Sequence, residues 1–180
     1  MKIIRLLILL LFFSSCNDKK TNEGLKTVQK ADDNTIEVAH KTDLEVYDFD
    51  GFQKFLQKKD NKVYVINFWA TWCAPCVKEL PYFEKLNEEY KNKNVEVLLV
   101  SLDFPHLYDS KLKPFIRDKK IKSKVVALND VDANTWIPKV DENWSGSIPA
   151  TVIYKNDTNK FFEQSFTYES LETEVKQFLN

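Results

Sequence analysis

Apolar and polar positions divide this chain into strand-like runs and helix-like stripes. Val63 to Phe68 is a nearly continuous apolar run, the pattern of a central strand buried on both faces. Val95 to Ser101 predicts a second central strand, and Leu44 to Tyr47 and Val125 to Leu128 predict shorter ones. Phe52, Phe55 and Leu56 fall at i, i+3 and i+4, which predicts a short amphipathic helix. A long helix is predicted from about Cys73 to Lys91. Leu80, Phe83, Leu86 and Tyr90 mark its inner face, and Glu84, Lys85, Glu88 and Glu89 its wet one. Pro75 sits in its first turn, where a missing N–H costs nothing, and Pro81 predicts a kink in its middle. Residues 110–121 predict another helix through Leu112, Phe115 and Ile116. Ala150 to Tyr154 and Lys160 to Phe166 predict two strands, separated by the hairpin signal Lys155-Asn156-Asp157-Thr158-Asn159. Leu171, Val175, Phe178 and Leu179 predict a closing helix. Strands alternating with helices and ending in an antiparallel hairpin predict an α/β fold, a mixed sheet covered on both faces.

Length and composition narrow the classes. A chain of 180 residues suits one domain with appendages, and 43% hydrophobic content supports a substantial core. A net charge of −1 gives no pull toward nucleic acid. Three glycines leave no Gly-rich phosphate loop.

The N-terminus predicts a targeting segment. Lys2 and Arg5 precede the apolar run Leu6 to Phe13, which is short for a bilayer span, and Ser14-Ser15-Cys16 follows. Residues 1–15 resemble a bacterial lipoprotein signal, although Phe13 stands where Leu is usual. That resemblance implies that Cys16 is lipidated and becomes the new N-terminus. An ordinary cleaved signal with a chance cysteine is the plainer alternative. Residues 16–41 are polar and mixed in charge, the composition of a flexible tether. A coil of this length would hold the domain about 25–30 Å from a membrane. The domain is expected over residues 42–180.

With Cys16 set aside, Cys73 and Cys76 are the only cysteines, so no structural disulfide framework is available. A Cys-x-x-Cys pair at a helix start can close a disulfide and reopen it. The positive end of the helix favours a Cys73 thiolate, the form that attacks disulfides. Cys73 is therefore expected to be the exposed nucleophile and Cys76, one turn on, the buried resolving thiol. The uncharged Ala74-Pro75 dipeptide argues for a potential near about −270 mV, not near a strong oxidant at about −120 mV.

The run Val65 to Cys76, with Trp72-Cys73-Ala74-Pro75-Cys76 at its end, resembles the active-site segment of the thioredoxin superfamily. The continuation Val77-Lys78-Glu79-Leu80-Pro81 and the later Gly146-Ser147-Ile148-Pro149-Ala150-Thr151 are similar to its extracytoplasmic, membrane-tethered TlpA/ResA-type thiol–disulfide oxidoreductases. The resemblance covers roughly residues 42–180. It implies a thioredoxin-like three-layer fold with an insertion in the middle of the domain. The 72 residues between Cys76 and Pro149 exceed what a minimal thioredoxin needs, which places that insertion within residues 102–140. Trp136 is expected in the core. Trp144 is assigned equally to core or to a partner groove.

The resemblance also implies roles. Asn67 stands where cytoplasmic thioredoxins carry a buried Asp. Glu79, three residues after Cys76 and on its helix face, would replace that Asp as the proton acceptor. A solvated Glu beside Lys78 is the alternative. Ile148 and a cis Pro149 would face the cysteines and receive a substrate strand, and Trp72 would flank Cys73. His40 lies in the tether, and His106 is expected to be a solvated loop residue. No cofactor is implied beyond the Cys73–Cys76 pair. Partners would be protein disulfides, apocytochrome c among them, and a membrane electron donor, with a lipid anchor, no nucleic acid and a monomeric protein. A metal-binding or metallochaperone module is the alternative, although one Cys-x-x-Cys supplies only half a four-ligand zinc site. A thiol peroxidase on the same fold would need a lone reactive cysteine in a different setting.

Overall fold

The computed structural model describes residues 44–179. The signal segment, Cys16, the tether with His40, and the domain start at Thr42 lie outside them. Among the described residues no helix is long and apolar enough to cross a membrane.

Among these residues six strands form one mixed sheet: β1 (Glu45–Tyr47), β2 (Val63–Trp69), β3 (Val95–Ser101), β4 (Lys124–Leu128), β5 (Ala150–Lys155) and β6 (Thr158–Phe162). Their order is β1-β4-β3-β2-β5-β6. The pairings β1–β4, β4–β3 and β3–β2 are parallel, whereas β2–β5 and β5–β6 are antiparallel. The α-helices that accompany the sheet are α1 (Phe49–Phe52), α2 (Ala74–Tyr90), α3 (Lys113–Asp118), α4 (Ala133–Val140) and α5 (Tyr168–Leu179). This is the thioredoxin-like three-layer arrangement.

Period-two alternation in β2 sorts its residues between two cores. Val63, Val65 and Trp69 face a cluster with Leu80, Phe83 and Leu86 of α2 and Leu171, Val175 and Phe178 of α5. Tyr64, Ile66 and Phe68 face the opposite cluster, with Phe49 and Phe52 of α1 and Trp136 and Val140 of α4. All seven β2 residues are buried, as the apolar run requires. The predicted inner face of α2 is buried throughout. Its helix runs unbroken across Pro81.

Between β3 and Pro149 the chain forms α3, β4 and α4. Strand β4 slots between β3 and the edge strand β1, and α4 returns over the second face. The sequence reading placed no element over the octet that forms α4, which is short and holds Pro138. Burial of Trp136 against Phe49, ring centroids 5.9 Å apart, helps hold it in place.

Two predicted elements are corrected. The helix expected over 110–121 begins at Pro105 as a 3-10 turn (Pro105–Leu107), passes through a π-helical turn (Tyr108–Leu112), and ends at Asp118. Lys120 takes φ 54°, and Ile121 N–H closes on the Ile116 carbonyl at 3.1 Å. That Schellman geometry stops the helix and packs Ile121 back, so Ile121 looks helical without being so. The strand expected over 160–166 is Thr158–Phe162. Asn156 adopts φ 55°, so Asn156-Asp157 turns the chain in two residues and draws Thr158 and Asn159 into the ladder. Phe166 leaves the sheet because its N–H bonds Glu79 instead.

Candidate active site

The site is built at the β2–α2 junction. Cys73 is the N-cap of α2, with Pro75 in the first turn. Cys76 N–H donates to Cys73 Sγ at 3.3 Å, so an orphan donor of the helix start points at the sulfur. Cys73 and Cys76 form a disulfide, their Cα atoms 5.3 Å apart. Cys73 is 6% exposed and Cys76 fully buried. The expected order of access is thus present, with Cys76 buried as expected and Cys73 more sheltered than the sequence suggested. Trp72 beside them is 54% exposed.

The Ile148 carbonyl oxygen lies 3.7 Å from Cys73 Sγ, and the Ile148–Pro149 peptide bond is cis. The loop carrying them is pinned from two sides. Trp144 Nε1–H donates to the Ser147 carbonyl at 2.8 Å. Glu163 accepts the Ser145 and Ser147 N–H groups at 3.0 and 3.1 Å, and the Ser145 hydroxyl. The bond from Ser145 holds the Glu163 carboxyl below its ordinary range. Gly146 adopts φ +92°, a conformation other residues avoid, so the turn into Ser147 needs glycine. Trp144, left between core and groove by the sequence, is a buried core residue packed against Phe68 and Trp136.

Beneath the disulfide lies a polar network inside an apolar layer. Asn67 points to the α2 face because it alternates with Ile66 and Phe68. Its Nδ2 donates to Glu79 Oε1 at 3.0 Å and to Thr151 Oγ1 at 3.1 Å. Thr151 is its cross-strand partner on β5. Phe166 N–H donates to Glu79 Oε2 at 2.7 Å. Glu79 is 1% exposed, on the same face of α2 as Cys76 and one turn further on. Burial raises its carboxyl to about 7, and the bonds from Phe166 and Asn67 only partly offset that. Glu79 is a buried carboxyl, not a solvated one beside Lys78. The Asn67 Oδ1 atom has no partner.

Asp103 was missed. This buried carboxylate accepts Thr71 N–H at 3.0 Å, Thr71 Oγ1–H at 2.5 Å and Ser101 Oγ–H at 2.8 Å. It ties the loop before Trp72 to the end of β3. Ser101-x-Asp103 at the end of a predicted central strand was the available signal, since α/β proteins place their sites at such ends. His106, expected to be solvated and idle, is exposed but stacks on Phe104, ring centroids 5.8 Å apart. Among the described residues, no three His, Cys, Asp or Glu side chains converge to hold a metal ion.

The AhpC/TSA family matches residues 31–159. A thiol-disulfide oxidoreductase ResA of Bacillus cereus is 31% identical over 113 residues, 62% of this chain and 60% of the relative. The protein of that name from Oceanobacillus iheyensis is 52% identical over 48 residues, 27% of this chain and 25% of the relative. The chain thus matches at most three fifths of the length of these curated relatives. Among solved structures, a thiol:disulfide interchange protein of Chlorobium tepidum TLS superposes with a TM-score of 0.57 at 18% identity, covering 67% of this chain and 81% of that one. StoA of Bacillus subtilis superposes at 0.52 with 20% identity, covering 69% and 87%. At such identities the superpositions establish the thioredoxin-like fold.

Proposed function

The chain belongs to the AhpC/TSA family, and we propose that it is a thiol–disulfide oxidoreductase working outside the cytoplasm as a reductant of protein disulfides. One observation carries the reading: Cys73, the N-cap of α2, is bridged to Cys76, and one turn further on the same helix face lies Glu79, a buried carboxyl raised to about 7. The names of the curated relatives support the same chemistry.

In the reduced protein the Cys73 thiolate attacks a substrate disulfide. A Cys73–substrate mixed disulfide forms, and the first substrate sulfur leaves as thiolate and takes a proton from solvent. Cys76 then passes its proton to Glu79 and attacks Cys73 Sγ. The mixed disulfide breaks, the Cys73–Cys76 disulfide forms, and the second substrate sulfur leaves and is protonated. Two electrons pass from the protein dithiol to the substrate disulfide. The cysteine pair is the whole electron carrier in this scheme, and a dithiol donor in the membrane restores it by the reverse exchange. A group titrating near 7 is poised to take and return that proton at neutral pH. The Ile148 backbone offers an extended substrate segment a place to pair beside Cys73. Lipidation at Cys16 would anchor the protein to a membrane of the cell envelope, and apocytochrome c disulfides form one substrate class.

The test is a trap. Cys76→Ser should accumulate a protein covalently bound at Cys73 and released by reductant, whereas Cys73→Ser should capture none. Capture by Cys73→Ser alone would reverse the assignment. Identifying the trapped protein tests the substrate class.

A further inference from the structure

The fold leaves two large aromatic rings in solvent beside the disulfide. Trp72 is 54% exposed and Phe104 is 56% exposed, while most aromatic rings of this domain are buried. They have not collapsed onto the core. Trp72 and Phe104 stack with centroids 6.3 Å apart and planes 22° apart. His106 continues the row, its plane 16° from that of Phe104.

The row is held from beneath. Thr71 precedes Trp72, and Asp103 precedes Phe104. The two preceding residues are joined by the Asp103 carboxylate, which takes Thr71 N–H at 3.0 Å and Thr71 Oγ1–H at 2.5 Å. Asp103 is only 2% exposed, so the clamp sits under the rings and sets their spacing from within. Leu107 N–H closes on the Phe104 carbonyl at 2.8 Å, and that turn aims His106 back at Phe104. Rings held in place before a partner arrives need little further ordering when it binds. The exposed Ala74 and Pro75 extend the apolar surface past the sulfur.

We propose that the Trp72–Phe104–His106 row selects the substrate: it receives an aromatic side chain one or two residues from the reacting cysteine of an extended protein segment. The inference rests on the thiol–disulfide reading above. The segment pairs near Ile148 on one side of Cys73 and lays its aromatic residue on the ring row on the other. Ring-on-ring contact adds to simple area burial, which an aliphatic residue of similar size would provide alone.

The experiment uses the reduced protein in single turnovers against four peptides, each carrying one cysteine as a mixed disulfide with glutathione. Their neighbouring residue is Phe, Leu, Arg or Gly. The readout is the ratio of second-order rate constants between peptides within each protein, which cancels changes in intrinsic reactivity. The wild type should favour Phe over Leu and Gly by about 2- to 10-fold. Phe104→Ala should bring that ratio to about 1, and His106→Ala should lower it part of the way. Both positions are exposed, so neither change empties the core. Equal ratios in the wild type, a preference for Arg, or an unchanged ratio in Phe104→Ala would overturn the shelf alone. Failure to reduce any of the four would overturn the thiol–disulfide reading and the shelf with it.

Discussion

Replacing Glu79 with Gln separates the charge of the buried carboxyl from its shape. The carboxyl titrates near 7 in the folded protein against 4.5 for its ordinary value. Its raised value fixes the sign. Below 4.5 the group is protonated in both folded and unfolded chains, and its contribution to stability is fully present. That contribution is lost as pH rises through 7, because the folded state must then hold a buried charge. At 1.36 kcal/mol per tenfold, the loss between pH 4 and pH 9 is about 3 kcal/mol. Gln does not titrate and avoids it. Its carbonyl can keep the Phe166 N–H bond. Its NH₂ can donate to Asn67 Oδ1, which now has no partner, after a reversal of that amide. Urea unfolding of the oxidised proteins at pH 4 and pH 9 measures the difference. Glu79→Gln should lose about 3 kcal/mol less than the wild type across that interval. Kinetics should move the opposite way. Mixed-disulfide collapse in the wild type should rise with pH and level off above about 7, and the variant should be about 100-fold slower at pH 8. Equal stability losses, or equal collapse rates, would refute the account of Glu79.

Other substitutions probe the surrounding structure. Asp103→Asn keeps the volume but leaves one oxygen for three donors, so it should destabilise by about 1–3 kcal/mol in urea titration and loosen the Trp72–Phe104 stack, read as a fluorescence change. Phe83→Ala removes a fully buried ring from the α2 face of the core, and calorimetry should show a loss of about 3–5 kcal/mol. Cys16→Ser should release the protein from membranes and abolish incorporation of labelled palmitate, while insulin reduction continues. A wild type that is soluble and unlabelled would return residues 1–15 to an ordinary signal.

What could be read in the chain, and what could not, divides along physical lines. Val63 to Phe68 and the face Leu80, Phe83, Leu86 and Tyr90 were legible because periodicity is local and strong. Cys73, Cys76 and Pro149 were legible as motifs. Glu79 was reached through the family resemblance, but its burial depends on Phe166, 87 residues away. That same bond is why the last strand stops at Phe162. Asp103 and Thr71 are 32 residues apart, and nothing in either segment announces the pairing. Helix α4 was hidden by Pro138 and is upheld by contacts of Trp136 with Phe49 and Trp144, which lie in other elements of the chain.

The Cys73–Cys76 bridge links positions three apart within a single helical start. A ring so small restrains the unfolded chain only slightly. The folded and unfolded chains, each in oxidised and dithiol form, make a closed thermodynamic square. Opening the bridge in the unfolded chain sets a nearly generic reference. Any departure of the native potential from that reference must then appear as a difference in unfolding free energy between the two redox forms. At about 1.4 kcal/mol for every 30 mV, two denaturation curves report the potential with no redox buffer present. The fold is in this sense its own voltmeter: the unfolded chain sets the zero, and the surroundings of the bridge in the native state set the reading.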